Sequence, residues 1–406
     1  MAKTHALASE ATGPLKGIRV LDMTSVVFGA YATQMLGDLG ADVIKVEFPG
    51  GRRGGGGDIM RWAGHPPAGA PEDLGPIFMT INRNKRSLLL DLREPDQAAS
   101  LRKLIKTCDV FAVSVRYEGL RRLGLDYESV KAIRPDIVYA HGAGYGAAGP
   151  YAGEPAYDDL IQSASGLADL LSRVDGDPTP RLIPTLVADK VSGLFMAQAV
   201  TAALFHRERT GEGQFVEAPM LECVTSFTLA EHLYGHVYDP PTGPWAYTRV
   251  ANPERKPFAT KDGHIGLLPY TDQQWDQFFA VAGWGETFGK DPRFADYKTR
   301  ARHVRELYGL VEEVTVTRTT QEWLELLKPL QIPVVRMNRL EELESDPHLD
   351  AVGLFQHYEH PKAGPYIAMR PPVNYGATPA NIRRHPPSLG EHTVEILAEL
   401  EGAPCG

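Results

Sequence analysis

The feature of this chain that most restricts its fold is a repeated alternation of short apolar segments with helical ones. Residues 17–22 and 43–47 are apolar runs of strand length, and residues 29–39 between them have helical spacing of small and apolar side chains. Strand, helix and strand within about thirty residues form a βαβ unit, which requires a parallel sheet. The alternation continues, with strands expected at 87–92, 109–115 and 137–141 and helices at 95–107 and 127–133. We therefore predict an α/β fold whose large domain has a doubly wound, mainly parallel, Rossmann-like sheet.

The second half of the chain has a different pattern. An Ala-rich helix is expected at 192–209, and a strand at 214–217 follows it. Residues 238–244 have the Pro and Gly content of a linker. Further elements are expected as a hairpin at 255–269, helices at 273–282 and 303–315, and a strand at 332–335. The predicted organisation is a leader at 1–14, the first part of a large ligand-binding α/β domain at 15–227, a smaller inserted α+β domain at 228–325, and a return to the large domain at 326–406.

Composition and charge narrow the class of protein. The chain has 406 residues, 43% of them hydrophobic, and a net charge of -9. A nucleic-acid-binding protein needs a basic face, and no run of Lys and Arg supplies one, so no nucleic-acid partner is expected. Residues 1–14 contain no long apolar run, so we expect no membrane partner and a cytoplasmic location. The three cysteines, Cys108, Cys223 and Cys405, have no CxxC spacing and predict no disulfide framework.

The usual catalytic signatures are absent from the sequence. There is no GxSxG, no HExxH and no close histidine spacing, so neither a serine hydrolase nor a metal site is predicted. The glycine-rich stretch 50–57 contains Arg52 and Arg53 but lacks the order of a phosphate-binding loop. A surface loop is the simpler interpretation, and contact between the two arginines and ligand phosphates is the alternative.

Several segments, taken together, resemble one known family. From about residue 15 to the end, the chain is similar to the class III CoA-transferases of the CaiB/BaiF family. The matching segments, in order, are 17–22 (GIRVLD), 39–47 (LGADVIKVE), 82–87 (NRNKRS), 123–127 (LGLDY), 188–193 (ADKVSG), 209–214 (RTGEGQ), 332–333 (IP) and 389–393 (LGEHT). Their order and spacing make the resemblance specific.

The resemblance implies that Asp189 is a nucleophile. In the family's transferases this aspartate attacks an acyl-CoA, giving an aspartyl acyl anhydride and then an aspartyl-CoA thioester. Asp158 takes the position of a second acidic residue, with an acid/base or positioning role. The residues alone favour a simpler interpretation, in which Asp189 follows a strand-like run at 182–187 and caps its own helix. The two interpretations are compatible, because free amides at a helix start also stabilise a developing oxyanion.

The resemblance also implies a site for coenzyme A, expected as a thioester substrate with no tightly bound cofactor. A free carboxylic acid would be the other substrate, and self-association as an interlocked homodimer is expected. For Arg116 and Arg122 an exposed helix face is an equal alternative. The expected contacts are Val26, Val27, Leu90, Asp91, Leu92, Arg93, Ser114, Val115, Arg116, Arg122, Tyr157 and Met220, with Arg52 and Arg53 as lesser candidates.

The sequence is also compatible with two alternative functions. The same family includes α-methylacyl-CoA racemases, which would use His141 and Asp158 as two bases. The segment Ala156–Gln162 is closer to the transferases than to the racemase sequence G-H-D-I-N-Y. A non-catalytic CoA-binding protein is the remote alternative. Val27 stands where the formyl-CoA transferases have Gln, which disfavours formate and oxalate, but the acids themselves are not specified by the residues.

Overall fold

A computed structural model describes residues 4–50 and 55–402. The chain divides into two compact units. Unit 1 contains the residues up to 167, residues 182–227 and the residues from 347 onward, and unit 2 contains residues 168–181 and 228–346. Within the residues described, no helix has the length and apolar character needed to cross a membrane.

Unit 1 is built around a six-stranded sheet in which all neighbouring strands are parallel, as the βαβ pattern predicts. The strand order is β3-β2-β1-β4-β5-β6. The central strands are buried because helices cover both faces, which is why their sequences are continuous apolar runs. The strand bounds are β1 Arg19–Met23, β2 Asp42–Glu47, β3 Lys85–Leu89, β4 Val110–Val113, β5 Val138–Ala143 and β6 Phe215–Pro219.

Helices connect these strands, and the core lies between them and the sheet. Leu21, Ile44 and Phe111 are fully buried on one face, where they pack with residues of α3, α5 and α16. The helices of unit 1 up to β6 are α1 Phe28–Asp38, α2 Pro76–Ile81, α3 Pro95–Ile105, α4 Tyr117–Leu123, α5 Tyr127–Ile133, α6 Asp158–Ala164 and α8 Val187–Thr210, while α7 Leu170–Asp175 belongs to unit 2. Helix α9 Met220–His232 follows β6.

Unit 2 has its own small sheet and an aromatic core. Strands β7 Phe258–Ala259, β8 His264–Leu267 and β9 Val334–Arg336 pair antiparallel. Its core is rich in Trp and Phe, and Trp323 is fully buried in it. The helices are α10 Asp272–Val281, α11 Gly285–Lys290, α12 Tyr297–Arg302, α13 Val304–Thr315 and α14 Thr320–Leu327.

The returning segment begins later than the sequence indicated. Residues 326–346 belong to unit 2 because β9 pairs with β8 and because Ile332 and Val334 are part of the unit 2 core. Residues 168–181 also belong to unit 2, which local sequence patterns do not reveal. After residue 346, unit 1 is completed by α15 Pro347–Ala351, the hairpin of β10 Phe355–His360 and β11 Gly364–Met369, and α16 Thr393–Glu401.

A network of buried charges lies under the first three strands. Burial acts to raise the pKa of Asp22, but Lys85, Lys45 and the hydroxyls of Thr24 and Thr33 lower it to about 2. The Lys45 ammonium lies 2.9 Å from a carboxylate oxygen of Asp58, and Arg61 pairs with Glu47 at 2.6 Å. Since removing one partner would leave a buried charge uncompensated, this network fixes the positions of the segments that follow β1 and β2.

Helices α1 and α8 pack closely because Gly193 has no side chain. A Cβ at this position would lie 2.9 Å from the carbonyl oxygen of Phe28 and 3.2 Å from the Tyr31 ring. Contacts of that length are too short for carbon, so any larger residue must push the two helices apart. This crossing fixes the beginning of α8 relative to the segment between β1 and α1.

Gly193→Ala is therefore expected to destabilise the protein by about 1–3 kcal/mol. Gly309→Ala is the matched control, because a Cβ there meets nothing within 4 Å in the middle of α13. That change should stabilise by about 0.5–1 kcal/mol through helix propensity. Urea unfolding of both variants measures the difference. Equal effects at the two glycines would contradict the close crossing of α1 and α8.

Candidate active site

Asp189 lies in the first turn of α8 and is 5% exposed. The segment 182–187 before it is not a strand, so that prediction is wrong, and the helix begins at Val187 rather than at 192. The residue at the N-cap is Leu186, which makes no side-chain capping bond. Asp189 therefore does not cap its own helix.

Asp158 performs the capping from another helix. It is the first residue of α6 and is 4% exposed. One of its carboxylate oxygens accepts hydrogen bonds from the backbone amides of Ala188, at 2.8 Å, and Asp189, at 3.1 Å. The Val187 amide donates to the Thr185 carbonyl. The first amides of α8 are thus already bonded, and the expectation that they stabilise an oxyanion is wrong.

Gln162 holds Asp158 in place. Its amide nitrogen donates to the other carboxylate oxygen of Asp158 at 2.6 Å, and its amide oxygen accepts from the Ile183 backbone at 2.9 Å. The side chain thereby joins α6 to the segment that leads into α8. Sequence reasoning missed this residue, although its spacing of four from Asp158 is that of neighbours on one helix face.

The electrostatic surroundings make Asp189 unusually basic. Burial raises its pKa first, and the negative charges of Asp158 and Asp159 raise it further, to about 7. Among the described residues, none donates a hydrogen bond to its carboxylate. The ionised form is therefore neither well solvated nor neutralised by a nearby cation, and the carboxyl changes its protonation state near neutral pH.

The described cysteines do not compete for this role. Burial raises the pKa of Cys108 to about 12 and that of Cys223 to about 11. Both are free thiols and stay protonated near neutral pH. Cys405 lies outside the described residues.

The loops after β1 and β4 come together beside the middle of the sheet. The Ser25 amide donates to the Ser114 hydroxyl at 3.2 Å, and the Val26 amide donates to Asp58 at 3.1 Å. Val26 has a φ of 64°, which is a strained value for a β-branched residue. In a doubly wound sheet the strand order reverses between these strands, and ligands bind at the carboxyl ends there. Val26, Val27, Ser114, Val115 and Arg116 lie at this position.

Asp189 is on the side of α8 that faces the same region. It precedes Gly193 by one turn, so both residues share a helix face. Gly193 is the contact point with Phe28, the first residue of α1. The nucleophile candidate and the segment containing Val26 and Val27 are therefore brought together by the α1–α8 crossing.

The other predicted contacts are more dispersed. Leu90, Asp91, Leu92 and Arg93 follow β3, the edge strand, where Asp91 and Arg93 pair with each other at 2.6 Å. Of the residues expected to contact coenzyme A, three have buried side chains: Val27, Leu90 and Met220. The Tyr157 side chain is 61% exposed.

Arg116 immediately precedes α4, and Arg122 lies in its last turn. Both are exposed, and neither forms an ion pair with a residue that the structure describes. They are available to bind anionic groups. Arg52 and Arg53 lie outside the described residues.

His141 is not arranged as a free base. It is buried on β5, and its Nε2 donates to the Val115 carbonyl at 3.1 Å. Its Nδ1 lies 3.8 Å from a carboxylate oxygen of Glu217. Burial lowers its pKa. These contacts are those of a structural histidine that fixes the segment after β4, which disfavours the two-base alternative.

A cavity of about 330 Å³ lies elsewhere in unit 1. It is lined by residues at the amino ends of β1, β2 and β3, among them Arg19, Asp42 and Arg86. Arg19 and Arg86 are paired there with Asp42, Glu395 and Glu399. Because doubly wound sheets bind ligands at the carboxyl ends of strands, this cavity is not the candidate site.

The fold and the site define an α/β enzyme with a buried carboxylate as its candidate nucleophile. A family model described as CoA-transferase family III matches residues 15–393. The succinate–glutarate CoA-transferase of Agrobacterium fabrum is 34% identical over 395 residues, covering 96% of each chain. The formyl-CoA:oxalate CoA-transferase of Rhodopseudomonas palustris is 32% identical and covers 96% of this chain and 94% of its own.

Solved structures agree with the sequence relatives. A CaiB/BaiF family protein from Brucella suis has a TM-score of 0.79 and 30% identity, covering 96% of this chain and all of its own. A Mycobacterium tuberculosis protein, Rv3272, has a TM-score of 0.80 and 28% identity. The chain belongs to CoA-transferase family III, the CaiB/BaiF family, and is an enzyme of that family.

At pH values above about 7, the variant Asp189→Asn is expected to have a higher Tm than the wild type. The folded pKa of about 7 exceeds the ~3.9 of an unfolded aspartate, so ionisation of Asp189 costs stability as pH rises through 7. A neutral amide removes that cost, a gain on the order of a few kcal/mol at about pH 8 that vanishes toward about pH 4. Calorimetry at both pH values measures it.

The control is Asp159→Asn, the same change at the exposed neighbouring position, which should give a much smaller gain. A loss of stability in Asp189→Asn at the higher pH would show that Asp189 is not held in an unfavourable ionised state.

Proposed function

We propose that the enzyme transfers coenzyme A from an acyl-CoA thioester to a free carboxylic acid, with Asp189 as the covalent nucleophile. The observation that carries this proposal is the buried carboxylate at the start of α8, with its pKa raised to about 7 and no hydrogen-bond donor among the described residues. Family membership supports the reaction class. The relatives named for succinate and glutarate lead us to propose four- and five-carbon dicarboxylic acids as substrates.

The first half of the reaction replaces the donor acid. A carboxylate oxygen of Asp189 attacks the thioester carbonyl, the carbon–sulfur bond breaks, and an aspartyl anhydride and CoA thiolate result. The thiolate then attacks the Asp189 carbonyl carbon, which releases the donor acid and leaves an aspartyl-CoA thioester. The released acid carries away one oxygen from Asp189.

The second half repeats these steps in reverse. The acceptor carboxylate attacks the aspartyl-CoA thioester, giving a new anhydride and free thiolate. The thiolate attacks the acceptor's carbonyl carbon and forms the product thioester, which restores the Asp189 carboxylate. Each step exchanges one acyl derivative for another of similar energy, so no redox or hydrolytic step is needed.

The remaining residues have supporting roles in this proposal. Asp158 positions the nucleophile by holding the first amides of α8. The loops after β1 and β4 bind the CoA thioester, and the unpaired Arg116 and Arg122 contact its phosphates, for which guanidinium groups offer bidentate bonds. We place the enzyme in the cytoplasm, where acyl-CoA is available.

Covalent transfer predicts that Asp189 can be trapped. Incubation with succinyl-CoA and hydroxylamine should convert Asp189 to its hydroxamate, because both acyl intermediates are open to this nucleophile. Peptide mass spectrometry locates the modification. Asp189→Ala should neither be modified nor transfer CoA to glutarate, whereas the nearby Asp159→Asn should do both. Normal turnover by Asp189→Ala would exclude the mechanism.

We also propose that the chain forms an interlocked homodimer, on the strength of its family. The division of the chain is compatible with this, since the two segments of unit 2 interrupt unit 1 and leave it in three segments. In an interlocked dimer, folding and association are inseparable, so Tm should rise with protein concentration and no folded monomer should survive dilution. Light scattering and activity at nanomolar concentration test this. A stable, active monomer would show that the chains are not linked.

A further inference from the structure

The Gln162 side chain is buried near Asp189 and bonds to two separate segments of the chain. It is 1% exposed, and it uses both ends of its amide. The nitrogen donates to Asp158 at 2.6 Å and lies 3.3 Å from the Thr185 carbonyl, while the oxygen accepts from the Ile183 amide. One side chain thus fixes both Asp158 and the segment that enters α8.

Both carboxylate oxygens of Asp158 accept hydrogen bonds. One oxygen accepts from the Ala188 and Asp189 amides, and the other accepts from Gln162. An ionised carboxylate accepts all three bonds, and helix α8 presents its positive dipole end to it. Gln162 is the one side chain among these donors, so it is the point at which the arrangement can be changed without altering the backbone of α8.

We propose that Gln162 is a positioning residue for CoA transfer: its amide holds the Asp158 carboxylate against the start of α8, and thereby fixes the position of that carboxylate beside Asp189. The inference rests on the proposed role of Asp189 as the nucleophile. Gln162 acts through Asp158 and does not itself touch the reacting atoms.

The negative charge of Asp158, which Gln162 holds in place, affects the pKa of Asp189. Beyond burial, the negative charges that raise its pKa are those of Asp158 and Asp159 on α6. Other titratable groups on α8 and on the elements packed against it are Lys190 on α8, which bonds to Thr185, Tyr31 on α1, His141 on β5 and Glu217 on β6. A change at Gln162 should therefore be visible in the titration of Asp189.

Two variants test the inference through the pH profile of kcat/KM for succinyl-CoA, measured with glutarate. Gln162→Leu cannot donate, so it no longer holds the Asp158 carboxylate in place, and the negative charge of Asp158 moves away from Asp189. Its kcat should fall about tenfold or more, and the acid limb should move to lower pH by about one unit. Gln162→Glu donates only while protonated. Its activity relative to wild type should be highest at acidic pH and fall as pH rises.

The control is Gln198→Leu, the same change at an exposed position on α8, which should leave the profile in place. If both Gln162 variants keep the wild-type profile, with rates reduced equally at every pH, Gln162 has a packing role only and the inference is wrong. If circular dichroism shows that Gln162→Leu does not fold, the Gln162→Glu profile decides alone: a relative rate that falls with pH supports the inference, and a flat one overturns it.

The experiment distinguishes failure of the proposed function from failure of the proposed role of Gln162. A wild-type enzyme that transfers no CoA among the acids tested contradicts the proposed function before the variants are compared. A wild-type enzyme that transfers CoA, with variants whose profiles do not move, contradicts the role of Gln162 alone.

Discussion

The bonds from Asp158 to the first amides of α8 are the interaction on which the site depends. They satisfy backbone donors that would otherwise be free at a buried helix start. They also place one negative charge beside another, since Asp189 is the third residue of that helix. The same contact therefore stabilises the helix and raises the pKa of the nucleophile candidate. Oxyanion stabilisation must come from donors other than these amides.

The chain's local patterns predict the sheet well. Strands β1, β2, β4 and β5 are apolar runs between turn residues, and the helix expected at 127–133 has those bounds in the structure. Such elements are predictable because burial on both faces of a parallel sheet leaves a continuous apolar segment. The chemistry of Asp189 is less local. Its residue type and position alone indicate a helix cap, and only the resemblance of many segments together indicates a nucleophile.

What the sequence could not reveal depends on contacts between distant residues. The cap of α8 comes from Asp158, about thirty positions earlier, whereas the local sequence pattern indicates Asp189. Gln162 gains its importance from Ile183 and Thr185, which a helical pattern in α6 cannot show. Residues 326–346 join unit 2 through strand pairing with β8, and pairing partners are not encoded in either strand by itself.

In the proposed mechanism, Asp189 exchanges its own oxygen atoms with the substrates. In the proposed steps, the acceptor acid leaves one of its carboxylate oxygens on Asp189 at each turnover. Enzyme incubated with succinyl-CoA and glutarate labelled with heavy oxygen should therefore accumulate the label in the peptide that contains Asp189, as measured by mass spectrometry after digestion. An unlabelled peptide after many turnovers would contradict covalent catalysis by this residue.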